Sequence, residues 1–348
     1  MAGFYVLSTS DRFSHPMAVV LQGLAALGHG LATSLSTREA DGRHLKVQLE
    51  SVEFDQRDPS DHDDFFLLDV TTDLTGYTAD YLETWFESIR AFCRGRAPIL
   101  FYSSDDSNYI DFPSDFTVFL AHRNRLMDKN PHAQPLAFGC SSEVLDDARR
   151  HWGLRVPRAR CVVDNFNPTF RQSVRESLML SFLPRIQKHF SIDRRSLYGD
   201  EYAAQLAASS LLLAYGGEYV RPKTDFWYLE KTMSEIDKQR YSFKHREADI
   251  AIFRWDSWRF WEGLAYGAVP IQLDFQEYGF ELPVMPTPWE HYVPIRLHAI
   301  EETVDRLSEM LADPNSLDEM SEKAHHWVSE HYHPQAVAQR LLTTIGVS

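Results

Sequence analysis

The chain has 348 residues and a formal net charge of −15, from 35 basic and 50 acidic side chains. That balance argues against a broad basic face for nucleic acid, because neutralising phosphates takes clustered Lys and Arg. It leaves room for a local basic pocket, since a diphosphate needs only a few cations and a helix N-terminus. At roughly 100–200 residues per domain the length fits two domains. A content of 44% hydrophobic and 24% charged residues is ordinary for a fold with a real core. Cys93, Cys140 and Cys161 are far apart, with neither zinc-ligand spacing nor a disulfide framework. No N-terminal signal pattern and no apolar run long enough to span a bilayer is seen, so a cytoplasmic protein is expected, with peripheral membrane contact left open.

In chain order, Phe4–Leu7 reads as a short strand, Ser8–Pro16 as a polar loop, and the segment after Pro16 as a helix closed by glycines. Proline suits a first helical turn, where its missing N–H costs nothing. Strands are expected at Asp64–Val70, Pro98–Tyr102, Phe116–Ala121 and Leu136–Gly139, with a helix over Ala79–Cys93. Continuous apolar strands separated by helices point to a parallel sheet covered on both faces. An Arg-, Pro- and Asn-rich stretch, His151–Pro168, marks a domain junction near Val156–Asn167. A helix over Phe170–His189, a helix from Glu201, a strand at Leu211–Tyr215 and a Gly216-Gly217 turn follow. After a charge-rich segment, Glu218–Arg246, comes a strand at Asp249–Phe253. The end, Ile300–Ile345, reads as amphipathic helix broken near Pro314 and Pro334, with His325-His326 on a solvated face. The expected domains are therefore 1–160 and 161–330, with a terminal helix at 331–348 crossing back to the first. Both are expected to be α/β and Rossmann-like, with parallel sheets facing across a cleft.

The densest pattern runs from Ile252 to Ile271, as strand, turn, helix, turn, strand. Asp256 or Ser257 suits the N-cap, and Gly267 suits a left-handed C-terminus. A helix start attracts anions through its free N–H groups and its partial positive charge. Ser257 can donate to a phosphate oxygen, and Arg259 can pair with a diphosphate through its planar fork. Glu262, one turn on, can accept hydrogen bonds from both ribose hydroxyls. Spacing alone fits an intrahelical Arg259–Glu262 ion pair equally well, at about 0.2–0.5 kcal/mol.

Ser257-Trp-Arg-Phe-Trp-Glu-Gly-Leu-Ala-Tyr-Gly-Ala-Val-Pro-Ile271, followed by Leu282-Pro283 and Trp289, resembles the donor-site motif of GT-B glycosyltransferases. The flavour is that of the exostosin-like group. The resemblance implies a metal-independent transfer of a sugar from a nucleotide-diphosphate sugar to a hydroxyl acceptor, with no cofactor besides that donor. It places Asp256, Ser257 and Arg259 at the donor, with Glu262 at its ribose. Arg221 and Lys223 occupy the place of a basic pair for the leaving group. Many retaining members carry a second glutamate eight positions before this one; here that position is Arg254, which leaves the stereochemical outcome open and makes Arg254 a candidate phosphate contact. Asp105-Asp106 and Asp63-Asp64 are adjacent pairs and read as turn residues rather than a metal site.

An inverting reaction needs a general base, and the loop after the first strand offers Asp11 and His15. Each is also explained locally, Asp11 as a turn former and His15 as a helix-start residue. Arg259 is expected to be partly exposed. Two other readings of the same fold stay open, a sugar-nucleotide epimerase and a non-catalytic glycosyltransferase-like binding protein. A transferase acting on DNA bases is disfavoured by the acidic balance.

Overall fold

The first sheet is built of β1 (Gly3–Ser8), β2 (Gly30–Thr33), β3 (Asp55–Gln56), β4 (Phe65–Val70), β5 (Ile99–Tyr102), β6 (Thr117–Leu120) and β7 (Gln134–Pro135), all of them short and mostly apolar except the two-residue edges β3 and β7. All seven run parallel, in the order β3-β2-β1-β4-β5-β6-β7. The structure is a computed structural model that describes all residues except 37, 38, 41–44, 46, 48, 73, 75, 76, 104–109, 127–129, 155–157, 166–173, 221–250, 314 and 348. Successive strand residues point to opposite faces, so the sheet carries two cores. Phe4, Val6, Leu67, Phe101 and Phe119 fill one; Tyr5, Phe66, Leu68, Tyr102 and Leu120 fill the other.

The second half of the chain supplies β8 (Ala159–Val163), β9 (Ser191–Asp193), β10 (Ser209–Leu213), β11 (Glu218–Val220), β12 (Ala251–Phe253), β13 (Val269–Leu273) and β14 (Val293–Ile295). Five of these form a parallel sheet in the order β14-β13-β10-β8-β9. β10 and β13 are buried along their whole length, as central strands of a doubly covered sheet must be. The expected strand at Asp249–Phe253 forms as β12, but it pairs antiparallel with β11 in a separate ribbon.

The chain divides into two compact units. The first is Met1–Arg123, Asp128–Glu143 and His331–Ser348; the second is Asn124–Met127 and Val144–Glu330. The boundary drawn at residue 160 falls inside β8, whose first two residues, Ala159 and Arg160, are exposed. The terminal helix Pro334–Thr344 packs on the helix His15–Ala26 within the first unit. A Cβ built at Gly23 would overlap the Pro334 carbonyl oxygen, so glycine here sets how closely the two helices approach.

Three expectations change in detail. Leu136–Gly139 is not a strand, and the edge strand β7 lies just before it. The helix expected over Phe170–His189 is described as two pieces, Val174–Ser181 and Leu183–Ile186, broken where Pro184 starts a new turn. The two adjacent histidines part company, since neighbouring helical residues face about 100° apart. His326 is exposed, while His325 is half-buried with its Nδ1 2.8 Å from the Ala265 carbonyl oxygen.

Candidate functional site

In an open parallel sheet, ligands bind outside the carboxyl ends of the strands, where strand order reverses. In the second unit β9 lies on one side of β8 and β10 on the other, so the reversal falls between β8 and β10. Asp164 and Asn165 leave the end of β8, and both are buried. The Asn165 side chain is locked by the backbone of Leu197, accepting from its N–H and donating to its carbonyl, each at 3.1 Å. The Asn165 carbonyl is thereby fixed, and it accepts from Nε of Arg259 at 3.2 Å and from Nη2 at 2.6 Å.

Arg259 stands in the first turn of the helix Trp258–Tyr266. It is 4% exposed, not partly exposed as its place near a helix start suggests, because the Asn165 carbonyl draws the guanidinium inward. Asp256 holds the turn itself. Its Oδ1 accepts from the Ser257 N–H at 2.8 Å and from the Trp261 indole N–H at 2.9 Å. Ser257 is the N-cap by backbone geometry, yet its hydroxyl does not cap the helix and, among the described residues, makes no hydrogen bond. Gly267 closes the helix at φ 86°, the left-handed conformation expected of it.

Glu262 is buried one turn beyond Arg259. The Tyr202 hydroxyl donates to its Oε2 at 2.9 Å, which leaves Oε1 for another donor. Burial pushes the Glu262 carboxyl up to about 7, against the pull of the Tyr202 hydrogen bond and the Arg259 charge. Arg254, half-buried after β12, has a left-handed backbone with φ 55°, which a non-glycine residue adopts only when its surroundings impose it. Three segments of the chain meet at Gly216: a Cβ there would lie 3.3 Å from an Arg175 guanidinium nitrogen and 3.6 Å from the Arg254 carbonyl oxygen. Arg175 and the Arg254 backbone thus lie beside Gly216 after β10, Arg259 lies beside Asn165 after β8, and Arg194 stands 3.5 Å from Asp164. Arg221, Lys223 and the pair Asp105-Asp106 lie outside the described residues. Asn165, Arg175 and Tyr202 escaped the sequence reading: Tyr202 reaches Glu262 across 60 residues, and no local spacing announces that contact.

The first unit reverses strand order between β1 and β4, which puts the loop after β1 at its ligand edge. Buried Asp69 at the end of β4 accepts from the Ser14 N–H at 2.6 Å and its hydroxyl at 2.7 Å. Ser14 in turn caps the helix that begins at His15. The His15 ring is buried and its Nε2 lies 3.2 Å from the Gly139 carbonyl, an acceptor only, so Nε2 carries the proton. Burial lowers its pKa to about 4, partly offset by that hydrogen bond. Asp11 lies exposed in the loop.

Among the described residues no three His, Cys, Asp or Glu side chains gather closely enough to hold a metal ion. No described helix is long and apolar enough to cross a membrane. The three cysteines are buried and unpaired with one another.

Neither a family model nor a curated protein matches the sequence. Solved structures match it in fold. An alpha-glucosyltransferase (AGT) in complex with UDP is 10% identical with a TM-score of 0.50, over 99% of this chain and 100% of that one. An alpha-glucosyltransferase in complex with UDP-glucose and DNA containing an abasic site is 10% identical with a TM-score of 0.51, over 99% of both chains. Anabaena Alr3699/HepE in complex with UDP is 9% identical with a TM-score of 0.48, over 99% of this chain and 100% of that one. At such identity the likeness is one of fold: the chain has the two-unit parallel α/β architecture of GT-B glycosyltransferases.

Proposed function

We propose that the protein is a glycosyltransferase that moves a sugar from a nucleotide-diphosphate sugar to a hydroxyl acceptor. One observation carries the reading. At the switch point of the second sheet, an N-cap hydroxyl without a capping bond, a fixed guanidinium and a buried carboxylate with one open oxygen stand within two helical turns. A diphosphate meets the first two, and a ribose diol meets the third. The shared fold with alpha-glucosyltransferases described with UDP and UDP-glucose supports the same reading. So does the likeness of Ser257–Ile271 to the exostosin-like donor motif.

In this reading Ser257, Arg259 and Arg254 hold the diphosphate, Glu262 holds the ribose, and Asp256 keeps the turn in shape. The departing negative charge is met by guanidinium groups and the helix start, without a metal. Arg221 and Lys223 join that basic set. The first unit takes the acceptor, and Asp11 is the better candidate for a general base. His15 is the poorer candidate of the two, because its ring is buried and its Nε2 is bonded to the Gly139 carbonyl, whereas Asp11 is exposed. The reading includes a cytoplasmic location, where cysteines that form no disulfide with one another stay reduced. The −15 net charge argues for a carbohydrate, lipid-linked or small-molecule acceptor rather than a nucleic acid.

The test is incubation with UDP-, ADP- and GDP-sugars, with and without candidate acceptors, followed by mass spectrometry. Released nucleoside diphosphate together with a glycosylated acceptor supports transfer. An isomerised sugar from donor alone indicates the epimerase reading instead, and donor binding without any turnover indicates a binding protein.

A further inference from the structure

The helix that carries Glu262 packs against β10, β13 and the helix Gly199–Ala208, and its far end meets Asp147 and His151 of the helix Ser142–Leu154 and His325 of the helix Ser316–His331, at Ala265 and Tyr266. β10 and β13 bring no titratable side chain to it. Among the described residues, the charged and titratable groups that act on Glu262 are Arg259 on its own helix and Tyr202 on the neighbouring one. Tyr202 is fully buried, and its hydroxyl reaches Oε2 at 2.9 Å.

We propose that Tyr202 is a positioning residue for nucleotide recognition, which occupies Oε2 and so presents Oε1 of Glu262 to the ribose. This rests on the donor-site reading given above. A carboxylate accepts from two vicinal hydroxyls only in its ionised form, and burial works against that form. A phenolic O–H aimed at the carboxylate favours it, since the bond is to the charged state. The Tyr202 hydroxyl stays protonated throughout the neutral range, because burial and then the charge of Glu262 raise its own pKa. Replacing Tyr202 by Phe keeps the ring and removes only the donor. Glu262 then holds its proton to higher pH.

Donor affinity should be full above the Glu262 midpoint and fall below it, so the loss in Tyr202→Phe should depend on pH. Isothermal calorimetry of the full chain with UDP-glucose, ADP-glucose and GDP-mannose reads this directly. The diphosphates of these probes are diesters and do not titrate near neutrality. Over about pH 5.5 to about pH 8.5, wild-type affinity is expected to rise with a midpoint near 7, and in Tyr202→Phe that midpoint moves up by about one unit. The variant then binds about fivefold more weakly at neutral pH and recovers to within about twofold at the alkaline end. Glu262→Gln is expected to bind with no pH dependence in this range. Equal weakening of Tyr202→Phe at every pH, with an unmoved midpoint, overturns the positioning role and leaves the donor site standing. So does unchanged affinity. Failure of the wild type to bind any of the three probes at any pH overturns the donor-site reading, and the inference with it.

Discussion

Ser257 is the sharpest single probe of the site. An N-cap serine that bonds the first turn contributes about 0.5–2 kcal/mol to stability. Here the hydroxyl caps nothing, and Asp256 does the holding. Ser257→Ala is therefore expected to shift the unfolding free energy by less than about 0.5 kcal/mol in a urea titration. Arg259 behaves differently, because Arg259→Ala takes two hydrogen bonds from the buried Asn165 carbonyl as well as removing a charge. It should lose about 1–3 kcal/mol of stability together with donor binding. Arg259→Lys keeps the charge but not the planar fork, and should weaken donor binding about 10- to 100-fold by calorimetry with a smaller effect on stability.

His15 makes a separate expectation at the same scale. Its folded pKa is about 4, below the ordinary value of 6.5, because the neutral ring is buried. The unfolded chain therefore binds the proton first as pH falls. The stability this group lends is whole above pH 6.5 and is lost progressively down to about pH 4, by up to about 3 kcal/mol. Urea midpoints at neutral and acid pH should show this loss in the wild type and a smaller one in His15→Gln. An equal acid loss in both proteins would mean that other groups govern it.

Elements defined by strong local pattern were legible in the sequence. The strands at Asp64–Val70, Pro98–Tyr102 and Val269–Leu273 are buried apolar runs, and each forms close to its expected bounds. The helix Trp258–Tyr266 was legible through its cap residue and its closing glycine. β2, β9 and β14 are three or four residues long, too short for a period to emerge, and β8 begins with exposed Ala159 and Arg160. The site divides in the same way. Ser257, Arg259 and Glu262 share one helix and are read by spacing, whereas Asn165 and Tyr202 arrive through strand order and helix packing. Close packing was likewise invisible at Gly23, which looks like an ordinary helix interior. Gly23→Ala sets a methyl against the Pro334 carbonyl and is expected to cost on the order of 1–3 kcal/mol, although Ala is the better helix former. A urea midpoint unchanged or raised would show that the terminal helix can yield there.

At the scale of the whole molecule, two parallel sheets each bring a switch point to their carboxyl ends, with different chemistry at each. The second unit offers arginines and a buried carboxylate; the first offers a loop latched by Asp69, carrying Asp11 and ending at His15. That division suits a reaction in which one partner brings a diphosphate and the other brings a hydroxyl. A diphosphate held by a few buried or half-buried arginines should lose affinity only modestly with added salt, as calorimetry at two ionic strengths would show. The most direct test of the account is calorimetric titration of the wild type and Ser257→Ala with nucleotide sugars under identical conditions. Binding by the wild type, weakened about 5- to 20-fold in a variant of unchanged stability, is the expected result. Equal affinity in the two proteins, or none in the wild type, would contradict the claim that this helix start holds a diphosphate.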